Sequence, residues 1–346
     1  MKERINYPFP AVVGQEAVKE ALMLNAVCPS IGGVLIRGEK GTAKSTLVRG
    51  FADVLPGRKT VDGCRCGCGQ DMNELCPECA EKMRKGPLKM SLTPMTVVEL
   101  PLGSTEDRIK GTIDIEAVIT SGKKRFEYGV LAKANGNVLY ADEVNLLEDH
   151  IVDLLLDAAA MGVNHVEREG ISYWHPSRFI LVGTMNPEEG DLRPQLLDRF
   201  GLTVDVKGET DEGRRAEIIY RRMEFERDPA GFEKRFSKER DSLKELIISA
   251  RERMNRIMPG KDSVDTAVKI SLAFGVDGHR ADLTLIKAAA AYAALNGRTG
   301  MGPSDVIHVA GPVMSHRMRK DPFGTHGDAN EFEERLRSVT ETHDEE

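Results

Sequence analysis

Residues 38–46 read Gly38-Glu39-Lys40-Gly41-Thr42-Ala43-Lys44-Ser45-Thr46, a glycine-punctuated loop closing on Lys-Ser. Glycines let backbone N–H groups curl around phosphate oxygens, and a helix opening at the loop adds the positive end of its dipole. In such a phosphate-binding loop the whole stretch from Gly38 to Thr46 forms the cradle. Lys44 reaches the β- and γ-phosphates and the Ser45 hydroxyl ligates Mg2+. One position departs from G-x-x-x-x-G-K-[ST]: Ala43 stands where the second glycine belongs. Its methyl is compatible with the loop if the residue is helix-like in φ and ψ, which its place at a helix start predicts.

A second constellation lies roughly 100 residues on, in Val138-Leu139-Tyr140-Ala141-Asp142-Glu143. An apolar strand ending in two acids carries Asp142 to the Mg2+ side of the phosphates. Glu143 is then placed to polarise the water that attacks the γ-phosphate. A third strand-like run, Arg178 to Met185, ends at Asn186, an amide placed to orient that water. The competing role for Asn186 is to satisfy the turn before Pro187.

The third constellation is made of thiols. Five of six cysteines fall between Cys64 and Cys79. Cys64, Cys68, Cys76 and Cys79 have C-x3-C and C-x2-C spacing, which suits a tetrahedral structural Zn2+. Cys66 is then spare or replaces Cys64. An iron–sulfur cluster and a surface loop of reduced thiols are the alternatives. Cys28 reads as a small buried residue. His165 and His175 have no acidic or thiol partner at metal spacing and read as structural.

These residues need a scaffold, and its elements are legible in outline. Gly33–Ile36 reads as a buried strand before the loop, and Thr46–Leu55 as a helix after it. Gly14-Gln15 opens an earlier amphipathic helix with Val18, Leu22 and Ala26 on one face. Val97–Leu100, the run into Asp142, the run into Asn186 and Val204–Val206 supply further strands. A helix over 146–160 and a hairpin over 164–174, turning near Glu169-Gly170, lie between them. Beyond Thr210 the pattern is helical, over 211–227, 238–257, 263–274, 280–296 and 303–319. The expected fold is α/β, a P-loop core with a parallel sheet flanked by helices, followed by an all-helical lid. The boundary is expected at residue 207, giving a core of 1–207, with the cysteine segment 64–79 and an insert at 103–128, and a lid of 208–346. The insert turns basic at Lys123-Lys124-Arg125, and Glu331 to Glu346 reads as a charged tail.

At 346 residues the chain can bury a large core, and a net charge of −7 argues against non-specific nucleic-acid binding. No apolar run approaches ~18 residues, so no membrane span is expected. No apolar h-region follows Met1–Asn6, so no signal peptide is expected and the chain is placed in the cytoplasm.

In this order the motifs resemble the I subunit of magnesium chelatase, an AAA+ ATPase, over nearly the whole chain. The resemblance rests on Leu102–Arg108, on Tyr140-Ala141-Asp142-Glu143-Val144-Asn145-Leu146-Leu147, on Gly183–Gly190 and on Leu192–Gly201. It implies an AAA+ core and lid, use of ATP and Mg2+, and a homo-oligomeric ring, commonly hexameric. It also implies work with a D subunit bearing an integrin-like domain and an H subunit that holds the porphyrin. No D-x-S-x-S motif is present, which suits I rather than D. The resemblance further implies that Asn186 is sensor 1 and that Arg280 is sensor 2. Arg199 would be the arginine finger entering a neighbouring copy's site, with Arg193 as the competing candidate. Related chelatases insert cobalt or nickel, so the metal stays open, and a MoxR-like remodelling chaperone shares every nucleotide residue.

Overall fold

The computed structural model describes residues 5–71, 74–113, 126–168, 171–276, 278–318, 332 and 335–336. Lys123–Arg125, the turn at Glu169-Gly170 and most of the charged tail lie outside these residues.

Five runs rich in apolar residues make the central sheet: β1 (Val34–Gly38), β2 (Val97–Leu100), β3 (Val138–Ala141), β4 (Ile180–Met185) and β5 (Leu202–Val206). Their order is β5-β1-β4-β3-β2. β3 runs parallel to both of its neighbours, with Val138 opposite Val97 and Ile180, and Ala141 opposite Leu100 and Gly183. Every residue of β3 and β4 is buried. Continuous apolar strands are what a parallel sheet covered on both faces requires. The consequence for function is positional. β1, β4 and β3 are neighbours, so the loop after β1, the acids after β3 and the amide after β4 leave the same edge of the sheet.

Helices follow the sequence closely. α1 (Glu16–Val27) buries Val18, Leu22 and Ala26. α2 (Lys44–Phe51) opens directly from the phosphate loop and runs into a short 3-10 turn at Ala52–Val54. α3 (Asp149–Met161) packs Ile151, Leu154, Leu155 and Ala158 inward and ends on Gly162 in the left-handed conformation.

Smaller antiparallel pairs decorate the core. Arg58–Val61 pairs with Met90–Thr93, and the cysteine segment lies in the connection, closed by a helix over Pro77–Lys85. The expected hairpin pairs Val163–Arg168 with Ile171–Pro176, placing His165 opposite Trp174.

The chain divides into two compact units. The first comprises Met1–Gln15, Ile36–Asp191 and Val206–Lys244; the second comprises Glu16–Leu35, Leu192–Asp205 and Glu245–Glu346. In the second unit three helices carry most of the packing: α4 (Lys261–Ala273), α5 (Arg280–Leu295) and α6 (Pro303–Met314). α5 buries Ala288 to Ala291, Ala293 and Ala294, and small side chains all round allow close approach from several sides.

Candidate functional site

β1 ends on Gly38, where a side chain would collide with the Val206 carbonyl, so only glycine lets the loop leave the sheet here. Gly41 has φ +84°, a conformation that favours glycine, and a Cβ added there would meet nothing within 4 Å. The loop is therefore open at Gly41. The Thr42 hydroxyl braces it by donating to the Glu39 carbonyl at 2.8 Å. Ala43 is the N-cap of α2 with φ 61° and ψ 18°, and no side chain caps the helix. The expectation of helix-like φ and ψ at Ala43 is thus overturned. The residue precedes the first helical turn, and an N-cap lies outside helical φ/ψ. It takes the left-handed conformation that the motif's usual glycine accepts without cost. The first N–H groups of α2 have no side-chain cap, which leaves them to an anion.

Lys44 folds back over the loop. Its Nζ donates to the Gly38 carbonyl and, at 2.7 Å, to the Glu39 carbonyl. Burial lowers its pKa, opposed by Asp142, Glu143, Glu189 and Glu39, which surround the ammonium with negative charge.

Behind the lysine stands a hydrogen-bonded set that holds the first acid. The Tyr140 hydroxyl donates to Asp142 Oδ1 at 2.7 Å, and the Thr184 hydroxyl donates to the same oxygen at 2.6 Å. Tyr140 is on β3 and Asp142 one residue past its end, and the Tyr140–Asp142 bond shows that both side chains point to one side. Ser45 lies near the Tyr140 hydroxyl, close enough to lower its pKa, so the loop hydroxyl and the carboxylate sit on either side of one ring. Burial first, and then the Asp142 charge, push the Tyr140 hydroxyl well above its usual pKa. Ser45 and Asp142 offer hard oxygen donors, a set that fits Mg2+ with substrate phosphates completing the shell.

Glu143 has φ 49° and ψ 54°. A left-handed glutamate is strained, and such strain concentrates at active sites. Its N–H donates to the Thr184 hydroxyl at 3.2 Å, so one threonine fixes both acids. Lys40, from the phosphate loop, pairs with Glu189 and lies 3.8 Å from Glu143. Asn186 is buried, and its side-chain oxygen accepts from the Glu188 N–H at 3.3 Å, capping the turn after β4. Asn145 Nδ2 donates to the Asn186 and Gly190 carbonyls at 3.3 and 3.1 Å, tying the turn after β3 to the turn after β4.

The structure brings Lys44, Ser45, Asp142 and Glu143 together within the first unit. The second unit gathers a different set. The Arg280 Nη1 donates to Asp198 Oδ2 at 2.6 Å, beside Arg199 in sequence. Sequence reasoning missed Tyr140, Thr184, Asn145 and Glu189, all polar residues at strand ends or in the turns that follow them.

The four thiols Cys64, Cys68, Cys76 and Cys79 converge, with every sulfur within 4.8 Å of the others. Four sulfurs at ~2.3 Å from one ion lie about 3.8 Å apart, so the set fits a tetrahedral metal after small inward movement. Cys66 is buried outside this set, and its carbonyl accepts from Asn135 Nδ2 at 2.8 Å. None of the six cysteines is in a disulfide. His175 is buried and neutral in its bonding. Its Nδ1 faces the Pro176 carbonyl and its Nε2 the Asn164 amide, both at 2.9 Å, and burial lowers its pKa.

Comparison with known proteins gives the following. A family model described as the AAA domain, dynein-related subfamily, matches residues 87–200, and one described as the AAA lid domain matches residues 264–336. The magnesium-chelatase subunit ChlI homolog of Methanocaldococcus jannaschii is 55% identical over 92% of this chain and 87% of its own. The magnesium-chelatase 38 kDa subunit of Acidiphilium rubrum is 47% identical over 92% of each chain. The chloroplastic ChlI subunit of Nicotiana tabacum is 47% identical over 93% of this chain and 76% of its own. Among solved structures, a cryo-EM reconstruction of the complex between magnesium-chelatase subunits BchI and BchD matches with TM-score 0.55 and 44% identity, over 96% of this chain and 100% of that one. A putative ATPase from Cytophaga hutchinsonii matches the fold with TM-score 0.62 at 17% identity, over 96% of this chain and 90% of that one.

Proposed function

The chain belongs to the magnesium-chelatase ChlI-type (38 kDa) subunit family of AAA ATPases, and on that premise we propose how its residues work. It is the ATPase motor of a magnesium-chelatase-type ligase, using ATP and Mg2+. The observation that carries the mechanism is the hydrogen-bonded set Tyr140–Asp142–Thr184, which holds the acid among the charges facing Lys44.

The loop N–H groups from Gly38 to Thr46 and the Lys44 ammonium bind and orient the β- and γ-phosphates. Ser45 and Asp142 hold Mg2+, which when bound neutralises charge on the phosphate oxygens. Glu143 takes the proton of the attacking water, aided by the Asn186 amide, whose oxygen serves the turn and whose NH2 group is left to orient that water. Arg199 acts as the finger for an adjacent copy, and Arg280 senses the γ-phosphate. Arg199 is preferred to Arg193 because Asp198, next to it in sequence, is held by side chains of α5 and of the turn after α6.

The assembly we propose is a ring of this chain, hexameric, working in the cytoplasm with a D-type and an H-type subunit, the latter holding the tetrapyrrole. The working division is a nucleotide-binding core over 1–207 and a lid over 208–346. Cys64, Cys68, Cys76 and Cys79 hold a structural Zn2+. The decisive experiment is ATP hydrolysis together with metal insertion reconstituted with D- and H-type subunits. Lys44→Ala and Glu143→Gln are each expected to abolish both activities, and full activity in either variant overturns the reading.

A further inference from the structure

Arg317 lies in the turn just after α6, where its N–H bonds back to the Met314 carbonyl at 2.9 Å. Its side chain is 1% exposed. Burial lowers its pKa to about 10, which still leaves it charged at neutral pH. A buried arginine is costly unless each donor is used. Here the donors converge on one short segment. Nε donates to Asp198 Oδ1 at 3.2 Å. Nη2 donates to the Asp198 and Phe200 carbonyls at 3.1 and 2.6 Å. Nη1 donates to the Gly201 carbonyl at 3.2 Å and to its own Val313 carbonyl. His316 Nε2 donates to the Phe200 carbonyl at 3.0 Å. Residue 199 is therefore gripped on both sides through its neighbours' main chain. The other Asp198 oxygen is held by Arg280.

We infer that Arg317 is a positioning residue for the finger. Its guanidinium fixes the carbonyls flanking Arg199, and Asp198 joins that clamp to Arg280, so the finger is aimed by the helical unit. Lysine cannot replace it, because a single ammonium does not reproduce the planar fork that spans four carbonyls and a carboxylate. The inference rests on the trans-acting role of Arg199 proposed above.

The test is co-assembly of variant chains, reading ATP hydrolysis. Arg317→Met is expected to lower turnover about 10²-fold, as a displaced catalytic group does, while leaving nucleotide affinity unchanged. Co-assembled with Glu143→Gln, which lacks the base but donates a sound finger, it regains activity in the roughly one-quarter of seams that pair its site with the other chain's finger. Co-assembled with Arg199→Ala it stays inactive, because neither chain donates a finger. Arg317→Lys is expected to show the same pattern and stands in if the methionine variant melts early. The proposal is overturned if Arg317→Met keeps wild-type turnover. It is also overturned if its mixture with Glu143→Gln stays inactive while Arg199→Ala with Glu143→Gln recovers. If that last control pair fails to recover, the trans-acting finger itself is refuted, and this inference falls with it.

Discussion

The Thr184 hydroxyl donates to the Asp142 carboxylate at 2.6 Å and accepts the Glu143 N–H at 3.2 Å. One side chain on β4 thus sets the direction of the metal-binding acid and the backbone of the general base, both in the turn after β3. Outer-shell partners of this kind change metal affinity or activity by about 10–100-fold when removed.

Thr184→Val keeps the shape and removes both bonds. It is expected to raise the Mg2+ concentration needed for half-maximal ATP hydrolysis by about tenfold or more, with ATP binding in the absence of metal little changed. A Mg2+ titration of turnover checks this. An unchanged midpoint would leave Thr184 as packing only.

Ala43 occupies the left-handed region at φ 61°, at a cost of about 1 kcal/mol for a residue with a Cβ. Ala43→Gly is expected to bind ATP as well as the parent and to melt no lower. Ala43→Val, β-branched in that conformation, is expected to lower both melting temperature and affinity. Calorimetry and nucleotide titration separate the two.

His175 is buried with its pKa lowered, while in the unfolded chain it titrates near its ordinary value of about 6.5. Below that value the unfolded state binds the extra proton and the folded state resists it. The stabilisation is therefore complete above about pH 6.5 and is lost as pH falls below it. His175→Gln is expected to flatten this part of the stability–pH curve, measured by denaturant midpoints between pH 5 and 8. A parent curve with no slope there contradicts the assignment.

For the thiol cluster, chain purified without oxygen is expected to carry about one zinc per copy. Stripping it is expected to expose the segment between Arg58 and Thr93 to protease, because binding energy and local folding are one quantity in such sites. Elemental analysis with limited proteolysis reads both. Iron in place of zinc would reassign the centre, and no metal would leave only reduced thiols.

What the sequence made legible was chemistry carried by contiguous backbone. Residues 38–46 and 138–143 are strand, turn and helix start in one stretch, so their types and spacing state their geometry. Thr184 was hidden because its partner Asp142 is 42 residues away and only sheet pairing makes them neighbours. Arg317 was hidden twice over. It lies in what reads as the end of an ordinary helix over 303–319, and all but one of its partners are carbonyls, which no residue type announces. Ala43 was misread because helix start was equated with helical φ, whereas an N-cap stands outside it. The strand pair at Arg58–Val61 and Met90–Thr93 escaped notice because the cysteine segment separates its halves.

Gly38 is pinned against Val206 by the closeness of the last strand. The entrance to the nucleotide cradle is therefore shaped when the sheet assembles, before any ligand arrives. Affinity then loses little to ordering the loop on association. By the same token the Gly38 end of the loop is fixed to the sheet, so any movement of the loop during turnover has to come from the open stretch beyond it, around Gly41.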